Sequence, residues 1–303
     1  MTSKEKQERT PLALIHQLLI IGKHHLTTPL IHYCLKNNIK IHYLSYNSAH
    51  LGSLNDNDHT TQTKVKLWLQ QEQHLSEPAN CLQLARETIS ARIHNMRKTL
   101  IQYQDHDTKI LEQQQRNIAH ADTIDTLRGY EGTATHDYYQ HLGALLKKTP
   151  FQFTHRNRRP PKDPFNVLLS YGYQHLYQYL HSLLLSLSLN PDRGYMHRSQ
   201  SKHIALCSDL IEPFRHLIER AAITVIRRKQ IRPEHFYYRQ DACYLTGEGS
   251  QTYSKHLSRL FETRIGHADI NKPRYIECLY KQAVSFKRHL QAPEKATFTA
   301  YRE

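Results

Sequence analysis

The segment FNVLLSYGYQHLYQYLHSLLLSLSL at residues 165–189 limits what this chain can fold into more than any other stretch. It is apolar enough to require burial and long enough to resemble a membrane span. Gln174, His175, Gln178 and His181, however, fall where hydrocarbon cannot satisfy them. The segment therefore reads as a helix buried at the centre of a domain, and other helices must surround it. Amphipathic stretches are available: VKLWLQQEQHL and NCLQLARETISARIHNMRKTLIQY between residues 63 and 120, the run 127–139, a helix from about 209, and one from Tyr275 to about Leu290. Ahead of them, LTTPLIHYCLKNN at 26–38 has a helical period after a cap-like Thr27-Thr28-Pro29. IKIHYLS at 39–45 alternates like a strand, with HLGSL at 50–54 as its short partner. At 303 residues there is room for two domains. The expected organisation is mainly α: a small N-terminal β-rich module with one helix over 1–54, a polar linker NDNDHTTQT over 55–63, and a larger all-α domain over 64–303.

Charge narrows the function. Lys and Arg total 41 against 27 acidic residues, a formal +14, which favours a polyanionic partner, nucleic acid first. The five cysteines, with no C-x-x-C pair, read as free thiols in a reducing compartment and argue against a zinc site. MTSKEKQERT has no apolar core of the signal-peptide kind, so a cytoplasmic location is expected. No glycine-rich phosphate loop of the Walker or dinucleotide type is present. The 19 tyrosines are not accompanied by the Arg-His-x-x-Arg constellation a tyrosine recombinase needs. Between 147 and 164, KKTPFQFTHRNRRPPKDP cannot be regular helix, because Pro160, Pro161 and Pro164 lack amide donors. Its cations, among them Arg156, Arg158, Arg159 and Lys162, interleave with Phe151 and Phe153, a pattern suited to a nucleic-acid strand or to a solvated linker. Arg92, Arg97 and Lys98 offer phosphates a basic helix face, or are simply solvated.

Two stretches carry residues suited to chemistry. In LRGYEGTATHDYY at 127–139, Leu127, Glu131, Ala134 and Tyr138 share one helix face, so a carboxylate sits in an apolar stripe. Such a group needs a partner, whether a cation, an Arg or Tyr, or water reached by turning the helix. Gly129 and Gly132 beside it suggest close approach of another backbone or a ligand. In GYMHRSQSKHIALCSDLIEPFR at 194–215, Pro213 is tolerated only near a helix start, which makes Ser208 or Asp209 an N-cap. Asp209 and Glu212, one turn apart and preceded by His197 in a glycine-containing loop, can ligate a hard divalent ion or act as cap and surface acid.

RGYEGTATHDYY, RNRRPPKDPFNVLLSYGY, GYMH, SDLIEPFR and CYLTGEG, in that order, resemble the signature blocks of the CRISPR-associated spacer-integration endonuclease family, from about residue 11 onward. The resemblance implies a DNA endonuclease and integrase of CRISPR adaptation that joins 3′-hydroxyl ends of new spacer DNA to the repeat by transesterification. It implies Mg²⁺ or Mn²⁺ held by Glu131, His197 and Glu212, with Asp209 assisting. Arg156, Arg158, Arg159, Lys162, Arg198 and Lys202 would lie along the DNA. Implied partners are double-stranded DNA with 3′ ends, CRISPR repeat DNA, a second copy forming a homodimer, the small ferredoxin-like second adaptation protein, and a reverse transcriptase domain or protein. No membrane is involved. The family's opening N-terminal strands find no counterpart in this reading, which suggests a shortened form or strands supplied by another segment. The alternatives are a catalytically idle nucleic-acid-binding scaffold and a plain metal-dependent nuclease.

Overall fold

A computed structural model of the chain describes residues 11–12, 15, 17–45, 50–54, 58–105, 107–198, 204–265 and 272–303. The chain divides into two compact units, Met1–Lys64 and Val65–Glu303. In the first, β1 (Gln17–Ile21), β2 (Lys40–Leu44) and β3 (His50–Leu54) form one sheet in the order β1-β2-β3. β1 runs parallel to β2 and β2 antiparallel to β3. A parallel pair needs a crossover, and α1 (Thr28–Lys36) supplies it with Pro29 in its first turn. Its Cys34 packs with Ile39 and Ile41 in a small core flanked by Leu18, Ile20, Leu30 and Ile31. The expected helix followed by two paired strands is observed, and residues 17–21, ahead of the helix, add a third strand.

α2 (Asp58–Ser76) begins inside the stretch expected as a linker. The reason is physical: NDNDHTTQT is polar but contains neither Gly nor Pro, so nothing in it prevents helix. α3 (Pro78–Gln102), α4 (Lys109–Asn117) and α5 (Ile124–Leu146) follow. The apolar segment forms α6 (Pro164–Ser186), capped by Asp163, whose side chain accepts from the Asn166 amide at 2.9 Å. Phe165, Leu168, Leu169, Leu176, Leu180 and Leu184 of α6 are fully enclosed, as the sequence demanded. α8 (Arg215–Arg227) crosses α6 so closely that a Cβ on Gly172 would stand 2.4 Å from Ile218 Cγ2. Among the described residues no helix is long and apolar enough to cross a membrane.

Two departures follow. α7 (Ala205–Ile211) begins well before Asp209, so Ser208 and Asp209 lie within a helix and cap nothing. Pro213 is instead absorbed by a 3-10 turn, Glu212–Phe214, that joins α7 to α8. The second unit is also not purely helical. β4 (Phe236–Arg239) and β5 (Ala242–Leu245) make a two-stranded hairpin, the alternation FYYR/ACYL folding back through Gln240 at φ 53°. α9 (Gly247–Glu262), capped by Thr246, and α10 (Tyr275–Gln291) complete the helices. Residues 292–303 then run back across the domain. Ala300 N donates to Glu87, Tyr301 N to Gln282 and Glu303 N to Asn95, at 2.8–2.9 Å.

Candidate active site

His197 is held by a carboxylate. Asp209 is fully buried; its Oδ2 accepts the Tyr195 and Met196 amides at 2.7 and 3.0 Å, and its Oδ1 accepts the His197 amide at 3.0 Å. A group that accepts three main-chain N–H bonds is the acceptor in its fourth bond as well, so His197 donates through Nδ1, at 2.6 Å. That bond fixes the ring's tautomer and orientation. The turn that delivers the histidine is equally constrained. Gln71 Nε2 donates to the carbonyls of Asn190 and Arg193, and a Cβ on Gly194 would meet Asp209 Oδ2 at 2.5 Å. Asp209, expected to assist from the same helix turn as Glu212, stands behind His197 with both oxygens engaged.

The other two residues meet across Arg92. This arginine lies in the buried stripe of α3, only 3% exposed. Its Nη2 is 3.0 Å from Glu131 Oε1 and 3.2 Å from Thr135 Oγ1, and its Nη1 pairs with Glu212 Oε2. Thr135 donates to Glu131 Oε1 at 2.6 Å, and Arg215 Nη1 reaches Glu212 at 3.2 Å. Burial by itself would push the Glu131 carboxyl up, but Arg92, then the Thr135 hydroxyl and Arg215, outweigh it and hold the group below the usual carboxylate range. Arg215 also lies over the Tyr173 ring, 4.5 Å from its centroid, and Tyr173 donates to the enclosed Glu219 at 2.6 Å. Two carboxylates and two guanidiniums are thus interleaved at the base of one cavity.

That cavity, about 460 Å³, is lined by Glu131, His197 and Glu212 together with Arg92, Arg158 and Arg215. Gly132 also lines it, and a Cβ at Gly129 or Gly132 would meet nothing within 4 Å. No backbone packs on these glycines; they leave the α5 surface bare. As the side chains stand, no three His, Cys, Asp or Glu among the described residues are gathered closely enough to hold an ion.

The cations divide sharply. Arg156 is turned inward: Nη1 donates to Asn157 O and Asn166 Oδ1, and Nη2 to Ser170 Oγ. It organises the proline loop and offers a strand little. Asn166 completes that organisation by donating to His155 O and Asp163. Arg158, Arg159, Lys162 and Arg198 are exposed, whereas Lys202 lies outside the described residues. Of the α3 cations read as a phosphate-facing or solvated face, Arg92 is buried between carboxylates, whereas Arg97 is exposed and pairs with Glu112 at 2.8 Å. Arg92 and Arg215 escaped the sequence reading as site residues. A signal existed for Arg92: it falls among Ile89, Ile93 and Met96 in a buried stripe, where a charge requires carboxylate partners.

A family model described as "CRISPR associated protein Cas1" matches residues 1–259. The chain belongs to the Cas1 family. Among curated Cas1 relatives, it is 31% identical over 294 residues to a "CRISPR-associated exonuclease Cas4/endonuclease Cas1 fusion" of Geobacter sulfurreducens, covering 91% of this chain and 50% of that one. The chain thus spans half the length of that fusion. It is 25% identical over 301 residues to "CRISPR-associated endonuclease Cas1 2" of Thermodesulfovibrio yellowstonii, covering 97% and 91% of the two chains. Among solved structures, a chain of a "Partial Cas6-RT-Cas1--Cas2 complex" superposes with TM-score 0.83 at 31% identity, over 96% of this chain and 89% of that one. The Cas1 fold, a small strand module and a helical domain, is that described above.

Proposed function

We propose that this Cas1 chain is a metal-dependent DNA endonuclease and integrase, joining 3′-hydroxyl ends of spacer DNA to a repeat by transesterification. The observation that carries the reading is the convergence of Glu131, His197 and Glu212, from three separate segments, on one cavity with exposed Arg158 at its wall. The donor set suits Mg²⁺ or Mn²⁺: two carboxylate side chains and an imidazole already oriented by a second carboxylate. The position between Glu131 and Glu212 is one where positive charge is required, and Arg92 now meets that requirement. An ion taken up by Glu131, Glu212 and His197 would supply Lewis-acid stabilisation of a phosphodiester oxygen.

The chain's own residues account for the remainder. Asp209 keeps the His197 ring in one tautomer, and Arg215 limits the swing of Glu212. Arg158, Arg159, Lys162 and Arg198 lie along the proposed DNA path and neutralise phosphates. The solved relative described as part of a Cas6-RT-Cas1–Cas2 complex supports Cas2 and a reverse transcriptase as partners, and a homodimer as the working unit belongs to the same proposal. Completeness of the residue set disfavours an idle scaffold, and a plain nuclease would use the same site with water as nucleophile.

The test is a strand-transfer assay with a short duplex and a supercoiled repeat-containing plasmid, with and without metal. Glu131→Ala and His197→Ala are expected to abolish joining while DNA binding stays within about twofold. Parental joining by either variant in Mg²⁺ would sink the proposal, and cleavage without joining by the parent would establish the plain nuclease.

A further inference from the structure

The β4–β5 hairpin has one face that the core does not use. Phe236 and Cys243 are buried and attach the hairpin to the domain, whereas Tyr237 and Tyr244 are cross-strand partners, 49% and 41% exposed. Their rings stack with centroids 5.4 Å apart and planes 20° from parallel. Arg239 follows Tyr237 by two residues, so it stands on the same face, paired across from Ala242. Tyr238, paired across from Cys243, belongs to the other face.

We infer that the Tyr237–Tyr244 face is a stacking platform for unpaired bases of a DNA strand; this inference rests on the integrase reading above. Charge selects this occupant over a protein. The Cys243 amide donates to Pro161 O at 2.8 Å, which fixes the hairpin to the proline loop beside exposed Arg159 and Lys162. Arg228 and Lys229, also exposed, follow α8 shortly ahead of the hairpin in the sequence, whereas Arg227 lies over the Tyr103 ring. Acidic residues Glu234, Asp241 and Glu248 are present, but Glu234 is matched by Arg232 at 3.7 Å. Rings with free faces, set among cations that neutralise the backbone, are what single-strand recognition needs: stacking holds any base, and charge tracks the phosphates. A blunt duplex offers bases only at its ends, so the platform would distinguish an overhang from a paired end.

Exposure of these rings means that replacing them should leave the fold intact, a point checked by thermal denaturation. The experiment compares the full chain with Tyr237→Ala/Tyr244→Ala and Tyr237→Phe/Tyr244→Phe. Anisotropy is used to titrate a duplex carrying a 3′ single-stranded overhang and the same duplex blunt-ended, with 2-aminopurine in the overhang. One base stacked on an aromatic corresponds to at least about fivefold in affinity. The Ala pair is expected to weaken overhang binding by at least that factor, leave blunt binding within about twofold and lose the 2-aminopurine quench, while the Phe pair behaves as the parent. Equal weakening on both duplexes, or none on either, overturns the inference while leaving strand joining to be judged separately. A loss accompanied by a change of oligomeric mass in light scattering would assign the face to a second copy of the chain and overturn it too. If the parent binds neither duplex, the integrase reading fails and takes the platform with it.

Discussion

Asp209 makes four hydrogen bonds with two oxygens, and its replacement separates positioning from chemistry. Asp209→Asn turns an NH₂ toward donors, so each failed bond exposes an unsatisfied buried group at about 1–3 kcal/mol. The expected result is a lower urea midpoint and loss of strand joining that added Mn²⁺ does not restore. Arg92→Met has a different signature. It leaves Glu131 and buried Glu212 facing each other with only Arg215 as countercharge, a loss of up to about 3–5 kcal/mol. If the proposed site is right, Mn²⁺ should return much of that stability; a melting temperature in Mn²⁺ equal to that in chelator would show that no ion enters between the carboxylates. At this scale the sequence anticipated that Glu131, His197 and Glu212 would lie together, as they do around one cavity, but not where Arg156 points. Its type and loop suited DNA, and only the fold shows that Asn166 and Ser170 occupy its donors. Asp209 was read as a cap or an assisting acid, whereas it anchors the loop that carries His197, because a local cap and a loop anchor are alike in sequence.

Among the elements, α6 was fully legible, since an apolar run interrupted by amides and imidazoles has few other homes. The α7–turn–α8 segment was not: Pro213 marks a helix start in most sequences, whereas here a 3-10 turn accommodates it and presents Glu212. The hairpin escaped because runs of four residues carry too little periodicity to outweigh a helical context. The returning tail gives a prediction of its own. Tyr301 stacks on Phe214 at 4.7 Å, and Glu303 accepts from His216 at 2.9 Å and Tyr275 at 2.7 Å and pairs with Arg220. Burial alone would raise the Glu303 carboxyl, but the bonds to His216 and Arg220 pull it far below the ordinary range. A depressed folded value means that its stabilisation is complete above the unfolded range, near pH 4.3, and lost as pH falls below it. Glu303→Gln should therefore be less stable than the parent at pH 7, with the difference shrinking below about pH 4 in urea titrations. A difference independent of pH would mean that the carboxylate charge contributes nothing.

Across the whole molecule, a formal +14 was the most direct guide to a polyanionic partner. In the proposed function, exposed Arg158, Arg159, Lys162 and Arg198 are where it would lie. Affinity for duplex DNA should fall linearly on a log–log plot against salt, and Arg159→Ala/Lys162→Ala should flatten that slope by up to about two while leaving joining chemistry at saturating DNA unchanged. An unchanged slope would move the DNA path away from the proline loop.

The bonds that fix His197 also say something about how the catalytic set comes together. Asp209 holds the histidine from 12 residues away in sequence, but the turn that carries it is itself tied by Gln71 to Asn190 and Arg193 across 119 and 122 residues. Glu131 and Glu212 are located through α3, by links such as Arg92 to Thr135 across 43 residues and Asn95 to Pro213 across 118. Loop closure at such separations costs more than a local turn, and the histidine and both carboxylates share that dependence on the assembled bundle. A chain with a loosened bundle would lose the proposed site as a whole, so an incompletely folded copy could not assemble it.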